Sequence, residues 1–164
     1  MLLLKCDSME NIRLENIELV NFNKENKEHL EYLKKLLNDA SIKKRFQGIF
    51  PALLSKEKFF GKGFLLEYDN ELIGYTQIGN FNKEEESVYI LGSAIDKEHR
   101  GKKTENGKTL EELMLNDISN YILLNYKQVK QIKLTISDDN IPAIKLSEKC
   151  GYEHLTSTHY GKSK

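Results

Sequence analysis

The sequence lacks the features that mark several large classes of protein. Its 164 residues contain two prolines, two cysteines and no tryptophan, and 25 basic residues balance 25 acidic ones. A formal net charge of zero provides no overall field that would draw the chain to nucleic acid or to a membrane surface. Cys6 and Cys150 stand far apart and without the spacing of a metal site, so we expect two reduced thiols and no metal.

Long hydrophobic runs are also missing. The N-terminal apolar run ends at residue 4, whereas a secretory signal needs about 7–15 apolar residues. No stretch reaches the roughly 20 apolar residues that span a membrane. We therefore expect a soluble, cytoplasmic protein with neither membranes nor nucleic acid among its partners. The length suits one hydrophobic core and no linker divides the chain, so a single domain over residues 1–164 is predicted.

The first part of the chain changes from strand to helical spacing. Residues 17–22 have strand character. Residues 26–38 carry four leucines on one helical stripe: Leu30, Leu33, Leu36 and Leu37. A second helical stretch is predicted to begin at Ser41 as its N-cap. Its apolar side chains are expected to face inward: Ile42, Phe46, Ile49 and Phe50.

The middle of the chain has the short apolar runs of a sheet. Residues 63–68 and 72–78 are two such runs, and Asp69-Asn70-Glu71 joins them as a hairpin. A polar turn over residues 80–86 precedes a third run at residues 88–95. These runs predict an antiparallel meander of three strands.

The second half returns to helical spacing and then alternates again. Residues 110–122 form an amphipathic helix, and residues 131–137 alternate as a strand. A strand, helix, strand order predicts that the strands on either side of this helix are parallel.

The last part of the chain predicts one more helix and one more strand. Asp139 or Asn140 caps the helix, Gly151 ends it, and a final strand covers residues 152–160. The full order predicts an α/β fold with a central mixed, mostly antiparallel sheet and helices on both faces.

The loop over residues 96–109 carries the strongest functional signal. It joins a predicted strand to the start of a helix, where unpaired N–H groups and the helix dipole attract anions. Gly101 and Gly107 let the backbone approach a ligand closely, while His99 is expected to be exposed. Four fixed positive charges accompany them: Arg100, Lys102, Lys103 and Lys108. The combination predicts a diphosphate site, and the alternative is a solvated basic loop.

A nucleotide-binding P-loop is a second interpretation of this segment. That motif places four residues between its first glycine and its Gly-Lys-Thr, whereas five residues separate Gly101 from Gly107-Lys108-Thr109. Asp138 or Asp139 would supply the acid that holds magnesium. This interpretation predicts a phosphotransferase that binds MgATP.

Two linked motifs, one with Arg100-Gly101-Lys102 after a strand and one running from Asn140 to Gly151-Tyr152, together resemble the GNAT superfamily of N-acetyltransferases over roughly residues 63–155. The first motif, residues 90–102, is a strand followed by an acidic turn and Arg100-Gly101-Lys102. The second, residues 140–152, begins with Asn140-Ile141-Pro142-Ala143 and ends with Cys150-Gly151-Tyr152. It is similar to the family's helix from Asn-x-x-Ala to Gly-Phe/Tyr. The details lean toward the branch that acetylates protein N-termini and related amines.

The resemblance implies a GNAT-like fold in which two parallel strands splay apart around acetyl-CoA. Backbone groups of Ala94 and Ile95 would pair with the pantetheine arm, and Asn140 and Ala143 would lie beside it. The diphosphate would contact the loop through eight residues: Arg100, Gly101, Lys102, Lys103, Asn106, Gly107, Lys108 and Thr109. The acceptor amine would attack the thioester directly, with no covalent enzyme intermediate.

The chain departs from the family pattern at the loop and at one helical position. Lys103 and Glu105 stand where the family has small residues, which a loop longer by about two residues accounts for. Ser147 stands where many members carry the tyrosine assigned to protonate the leaving thiolate, and it is a candidate for positioning water. Glu86 and Tyr89 are candidate bases, and Tyr89 falls where some relatives carry a catalytic glutamate.

The acceptor amine must be neutral before it attacks. At pH 7, deprotonation costs about 4.6 kcal/mol for a lysine-like amine of pKa about 10.4, and about 1 kcal/mol for an α-amine near 7.8. A weak base therefore suffices for an α-amine and hardly for a lysine. We expect a small-molecule or peptide acceptor and a monomer or homodimer. A CoA-binding module with little catalysis is the third interpretation.

Overall fold

Seven strands in the described part of the chain form one sheet. The structure, a computed structural model, describes residues 16–46, 61–155 and 159–163. The strands are β1 (Ile17–Asn21), β2 (Gly61–Tyr68), β3 (Glu71–Asn82), β4 (Ser87–Ile95), β5 (Gln131–Thr135), β6 (Glu153–His154) and β7 (His159–Ser163). The helices are α1 (Lys27–Leu37), α2 (Ala40–Arg45), α3 (Leu110–Asn125) and α4 (Ile141–Lys149).

The order of the strands across the sheet is β1-β2-β3-β4-β5-β7-β6. Strands β1 to β4 are successive antiparallel neighbours, so the predicted meander is confirmed. Strands β4 and β5 are parallel and are connected through α3, as the strand, helix, strand order predicts. Strand β7 lies antiparallel to β5, and β6 pairs with its outer edge. The predicted mixed α/β sheet is therefore confirmed.

Helices cover both faces of this sheet. Leu65 in β2 packs with α1 and α2, whereas its neighbours Phe64 and Leu66 pack on the side of α3, as the two-residue period of a strand requires. On the first face, Ile42 of α2 and Phe46, which follows that helix, are fully buried. On the second face, α3 buries a stripe of apolar side chains: Leu110, Met114, Leu115, Ile118 and Ile122.

Short polar side chains fix the starts of the helices. Asn26 caps α1, Thr109 caps α3, and Asn140, one of the two predicted residues, caps α4. The predicted cap at Ser41 is wrong. Asp39 caps α2 instead, and its Oδ1 accepts the backbone N–H of Ser41 at 2.9 Å. An aspartate two residues earlier thus fills the role, and the serine lies inside the helix.

Residues with positive φ confirm two predicted chain reversals. Asp69 and Asn70 have φ of 49° and 63° and turn β2 into β3, as in a type I′ hairpin. Gly151 has φ of 86° and ends α4.

Two strand boundaries differ from the prediction. Strand β3 continues to Asn82, past the predicted turn at residue 80, because Asn82 still pairs with Ser87 of β4. The predicted final strand is a hairpin of two strands, β6 and β7, instead of one strand. The predicted inward positions of Ile49 and Phe50 lie outside the described residues.

Gly92 in β4 lies against the ring of Phe46. A Cβ at residue 92 would stand 2.5 Å from the nearest ring carbon. We expect Gly92→Ala to lower the free energy of unfolding by about 1–3 kcal/mol, because an added methyl in a dense core forces side chains out of place. Urea unfolding followed by circular dichroism measures this change.

Phe46→Leu is the matched control, because it removes the ring carbons that the new methyl would meet. Alone, it loses core contacts and destabilises the fold. In the double variant with Gly92→Ala, the loss of unfolding free energy should be smaller than the sum of the two single losses, because the two residues are in contact. A double variant whose loss of unfolding free energy equals the sum of the two single losses would contradict the clash between the methyl and the ring.

Candidate functional site

Strands β4 and β5 part from each other halfway along β4. Their parallel pairing runs from Ser87 to Ile90 and stops there, although β4 continues to Ile95. Beyond Ile90, the edge of β4 that faced β5 has no strand partner in the described chain. We call this opening between the two strands the gap.

A β-bulge marks the start of the gap. In the β3–β4 ladder, Ile78 pairs with Ile90 and Gln77 pairs with Gly92. Leu91 is therefore the extra residue on β4, and a bulge bends the strand that carries it. The bend accounts for the divergence of β4 from β5.

The backbone of Ser93 and Ile95 faces the gap. The Asp96 N–H donates to the Ile73 carbonyl at 3.0 Å, so these two residues form a hydrogen-bonded pair of the β3–β4 ladder. Along antiparallel strands, hydrogen-bonded pairs alternate with pairs whose backbone groups point away from the partner strand. Ala94 therefore bonds to β3, whereas Ser93 and Ile95 direct their N–H and C=O groups toward the gap. This register does not favour the predicted backbone contact of Ala94 with a ligand and favours Ser93 instead.

The basic loop after β4 folds as a small antiparallel hairpin before α3. Lys103 and Thr109 face each other across it. Two backbone hydrogen bonds close it: the Leu110 N–H to the Lys102 carbonyl at 3.0 Å and the Thr104 N–H to the Lys108 carbonyl at 2.7 Å. The additional residues of the loop therefore form a local hairpin and not an extended open loop.

Both loop glycines adopt conformations that favour glycine. Gly101 and Gly107 have φ of 73° and 81°. The Gly107 N–H donates to the Thr104 carbonyl at 2.9 Å, and the Gly101 N–H donates to Oε1 of Glu111 at 3.1 Å. In this conformation both N–H groups have acceptors inside the chain, and a carboxylate occupies the one at Gly101.

Other groups of the loop remain directed outward. Lys103 and Thr109 form a non-hydrogen-bonded pair, so their N–H groups point away from the hairpin. The side chains of Lys102, Lys103 and Lys108 are exposed, and the ion pairs found among the described residues do not involve them. Asn106 accepts a threonine hydroxyl and stabilises the turn. Three lysines and two N–H groups therefore lie next to the first turn of α3.

This arrangement does not favour the P-loop interpretation. A P-loop directs successive N–H groups of its glycine-rich turn at one phosphate. Here the N–H groups of Thr104 and Gly107 are used to close the hairpin. The segment is a folded extension beside a helix N-terminus, and it does not form a cradle.

Arg100 points away from the lysines. Its Nε donates to the Ile95 carbonyl at 3.1 Å, and its Nη2 donates to Oδ2 of Asp39 at 2.7 Å. Hydrogen bonds from Ser41 and from Arg100 hold the pKa of Asp39 well below its usual range, so this carboxylate is charged. The guanidinium joins the end of β4 to the start of α2.

Helix α4 begins shortly after β5 on the other side of the gap. Asn140 caps it by accepting the Ala143 N–H through Oδ1 at 3.4 Å, which leaves its amide NH₂ as the group that can donate to a ligand. Ala143 is partly exposed. Ser147 is only 1% exposed, and its hydroxyl donates to the Ile144 carbonyl at 2.8 Å. Ser147 can therefore donate to a water at the thioester only if this bond is broken.

The acidic turn before β4 lies at the end of the strand remote from the gap. The four paired residues that separate it from the bulge span about 13 Å. The Glu86 carboxylate pairs with Lys130 at 2.6 Å, and that of Glu85 pairs with Lys133 at 2.5 Å. The bond from Lys133 lowers the pKa of Glu85. Both carboxylates are held by lysines, and the lowered pKa makes that of Glu85 a weaker base.

Tyr89 lies nearer to the bulge. Its neighbours Val88 and Ile90 point to the α3 side, so Tyr89 points to the face that carries α1 and α2. It is half-buried, is opposite Lys133 in the register, and stacks edge-on against His159 of β7 at 6.2 Å between ring centroids. This phenol is thus two residues from the start of the gap.

Sequence reasoning missed three residues around the loop. His99 was expected to be exposed, but it is buried, and its Nδ1 lies 2.6 Å from Oδ1 of Asp96. Asp39 and Glu111 resemble ordinary surface carboxylates in the sequence. A signal existed for both, since Asp39 precedes a helical run and Glu111 falls in the first turn after a glycine-rich loop.

A cleft of about 870 Å³ lies beside the gap. It opens between α1, the β2–β3 turn and residues 96–100, and Tyr32, Asp39 and Arg100 contribute to its walls. The backbone edge at Ser93 and the cap residue Asn140 do not line it. The cleft is therefore a neighbour of the gap and is separate from it.

The described residues contain neither a spanning helix nor a metal cluster. None of the described helices combines the length and apolar character needed to cross a membrane. Across residues 16–46, 61–155 and 159–163, no three histidine, cysteine, aspartate or glutamate side chains are grouped so that they could hold a metal ion.

Comparison with solved structures identifies the fold. N-acetyltransferase PseH of Campylobacter jejuni matches at a TM-score of 0.63 and 18% identity, covering 91% of this chain and 99% of that one. Spermidine N-acetyltransferase of Vibrio cholerae, solved with CoA and spermine, matches at a TM-score of 0.66 and 15% identity, with coverages of 91% and 96%. An acetyltransferase of Salmonella typhimurium that modifies the N-terminal serine of ribosomal protein L7/L12 matches at 0.64 and 14%, with coverages of 91% and 95%.

Sequence comparison identifies the family. No curated protein sequence is significantly similar to the chain. The family model described as "Acetyltransferase (GNAT) family" matches residues 28–152, which is more than half of the chain and includes both motifs. The chain therefore belongs to the acetyltransferase (GNAT) family and is an acetyl-CoA-dependent N-acetyltransferase.

Proposed function

We propose that the gap between β4 and β5 binds acetyl-CoA and that the acceptor is an α-amine of a peptide or small molecule. The end of parallel pairing after Ile90 carries the proposal, because it leaves the backbone edge of Ser93 and Ile95 facing the gap. The Ile95 carbonyl accepts from Arg100, and the other backbone groups of this edge, which have no strand partner in the described chain, need hydrogen bonds from another molecule. A pantetheine arm carries two amides and meets that need as a short strand would.

The loop and α4 supply the remaining contacts in this proposal. Lys102, Lys103 and Lys108 surround the diphosphate, together with the outward N–H groups of Lys103 and Thr109 at the N-terminal end of α3. From the opposite side of the gap, the amide NH₂ of Asn140 donates to the pantetheine arm, and the small side chain of Ala143 permits close approach. Gly101 and Gly107 allow the turns that bring these groups together.

The reaction itself requires little from the protein beyond placement. The nitrogen of the acceptor attacks the thioester carbonyl, the C–N bond forms, the C–S bond breaks, and the nitrogen loses one proton while the thiolate gains one. Holding the two reactants in line supplies much of the rate acceleration. Tyr89 lies on the face from which an acceptor reaches the start of the gap, and we assign it to contact with the acceptor.

The charges near β4 favour an acceptor of low basicity. Lys133 holds the Glu85 carboxylate and lowers its pKa, and the Glu86 carboxylate is engaged by Lys130 at the end of β4 remote from the gap. An α-amine of pKa near 7.8 needs only about 1 kcal/mol for deprotonation at pH 7, compared with about 4.6 kcal/mol for a lysine. The Salmonella enzyme with the same fold modifies an N-terminal serine, which agrees with this choice.

Glu111 should compete with the diphosphate. Its carboxylate holds the Gly101 N–H and places a negative charge at the N-terminus of α3. We expect Glu111→Gln to tighten acetyl-CoA binding about two- to fivefold, since a charge at a helix end is worth about 0.3–1 kcal/mol. Isothermal titration calorimetry at low salt measures the affinity.

Glu148→Gln is the matched control for this prediction, because it removes one exposed negative charge on α4 away from the loop. It should leave the affinity unchanged. Equal gains from both variants would reduce the effect to net charge, and weaker binding by Glu111→Gln would show that this carboxylate helps to form the site.

The acceptor class is tested with three substrates: a peptide with a free N-terminus, its Nα-acetylated form carrying one lysine, and spermidine. We expect the free N-terminus to be preferred by at least about tenfold in kcat/KM, which corresponds to about 1.4 kcal/mol. Its rate should rise with pH and level off near pH 8, as its amine loses its proton. A rate that rises toward pH 10 on the lysine peptide would contradict the proposal, and binding of acetyl-CoA without turnover would favour a non-catalytic module.

A further inference from the structure

One planar side chain connects two distant parts of the chain at the edge of the gap. The guanidinium of Arg100 binds the Ile95 carbonyl through Nε at 3.1 Å and the Asp39 carboxylate through Nη2 at 2.7 Å. Asp39 and Arg100 are 61 residues apart in sequence. Because the donors of an arginine are fixed in one plane, the position of either partner constrains that of the other.

Asp39 uses its two oxygens for different purposes. Oδ1 accepts the backbone N–H and the hydroxyl of Ser41, at 2.9 and 2.6 Å, and so caps α2. Oδ2 accepts from Arg100. Both side chains of the ion pair are partly exposed, at 33% for Arg100 and 25% for Asp39. The carboxylate thus attaches the first turn of α2 to β4 without being deeply buried.

At the other end, Arg100 determines which backbone groups a ligand meets. The N–H and C=O of Ile95 both face the gap, and Arg100 already occupies the C=O. The N–H of Ile95 is left for a strand-like ligand. Loss of the guanidinium would free a carbonyl at this edge and release the end of β4 from α2.

Helices α1 and α2 lie over the face of the sheet to which the Tyr89 side chain points. Phe46 follows α2 and packs against Gly92, directly after the bulge. A second link joins α1 to the loop, because the Tyr32 hydroxyl donates to Asp96 at 3.4 Å, and Asp96 also binds His99. A shift of α1 and α2 would therefore displace residues both at the gap and in the loop.

We propose that Arg100 is a positioning residue that couples acceptor binding beneath α1 and α2 to acetyl-CoA binding in the gap, through Asp39 and Ile95. This inference rests on the proposed function, because it assumes that acetyl-CoA lies along β4. Coupling between two sites is reciprocal, so each ligand should tighten the binding of the other by the same factor. We expect a factor near fivefold, since the ion pair is partly exposed.

Asp39→Asn removes the ion pair and keeps the helix cap, so it distinguishes the two roles of this side chain. An asparagine keeps Oδ1 for Ser41 and replaces the charged Oδ2 with an NH₂ group that repels Arg100. Arg100→Lys tests the other side, because a single ammonium cannot reproduce the planar fork. Ser41→Ala is the control: it removes one hydroxyl from Asp39 and leaves the ion pair intact.

The measurement is the dissociation constant of CoA by calorimetry, with and without a saturating acceptor peptide, on each folded variant. Wild type and Ser41→Ala should show tighter CoA binding with the peptide, by about fivefold. Asp39→Asn and Arg100→Lys should show no such gain, and KM for acetyl-CoA should rise more than kcat falls.

Two results would overturn the inference, and one would overturn the proposed function instead. Coupling that survives in Asp39→Asn and Arg100→Lys would show that the ion pair does not transmit it. If Ser41→Ala lost as much coupling as Asp39→Asn and Arg100→Lys, the coupling would depend on the stability of α2 and not on the ion pair. If wild type binds neither CoA nor acetyl-CoA, the proposed site fails before the coupling is tested.

Discussion

The geometry of the site depends on the early end of pairing between two parallel strands. Parallel strands inside a sheet normally satisfy each other's backbone groups along their whole length, because an unpaired buried N–H or C=O is costly. Here the bulge at Leu91 turns β4 away from β5 after Ile90. The backbone edge at Ser93 and Ile95 then needs partners from outside the sheet. A ligand with amides of its own is the natural complement of such an edge.

The remaining parts of the site are arranged around this edge. β4 leads into the basic loop and α3, and β5 leads into α4, so one helix N-terminus lies near each strand that borders the gap. Asn140 caps one helix and Thr109 caps the other. The loop hairpin between Lys103 and Thr109 keeps the lysines exposed next to α3. Strand order and loop length therefore determine which charges lie beside the gap.

Much of this organisation could be predicted from the sequence. Periodicity predicts α1, α3 and most strands, the cap residues and Gly151 predict α4, and the crossover between β4 and β5 predicts their parallel direction. Single-residue roles could not be predicted where tertiary contacts decide them. Ser41 has the residue type of a cap, yet Asp39 two positions earlier takes that role through Oδ1 and also binds Arg100 through Oδ2. His99 looks like a loop residue, but Asp96 and the packing around it bury its ring.

The loop shows why counting charges is not sufficient to assign a ligand site. Four cations flank the two glycines in sequence, and three of them, Lys102, Lys103 and Lys108, stay exposed. The fourth, Arg100, differs because guanidinium binds two fixed acceptors at once, whereas an ammonium is a flexible point charge. The chain uses the rigid cation to hold Asp39 and Ile95 in place. In the proposed site, the flexible cations are left for the diphosphate, whose oxygens they can follow as the ligand enters. Arginine in such a loop thus contributes to the shape of the site, and the lysines contribute to its charge.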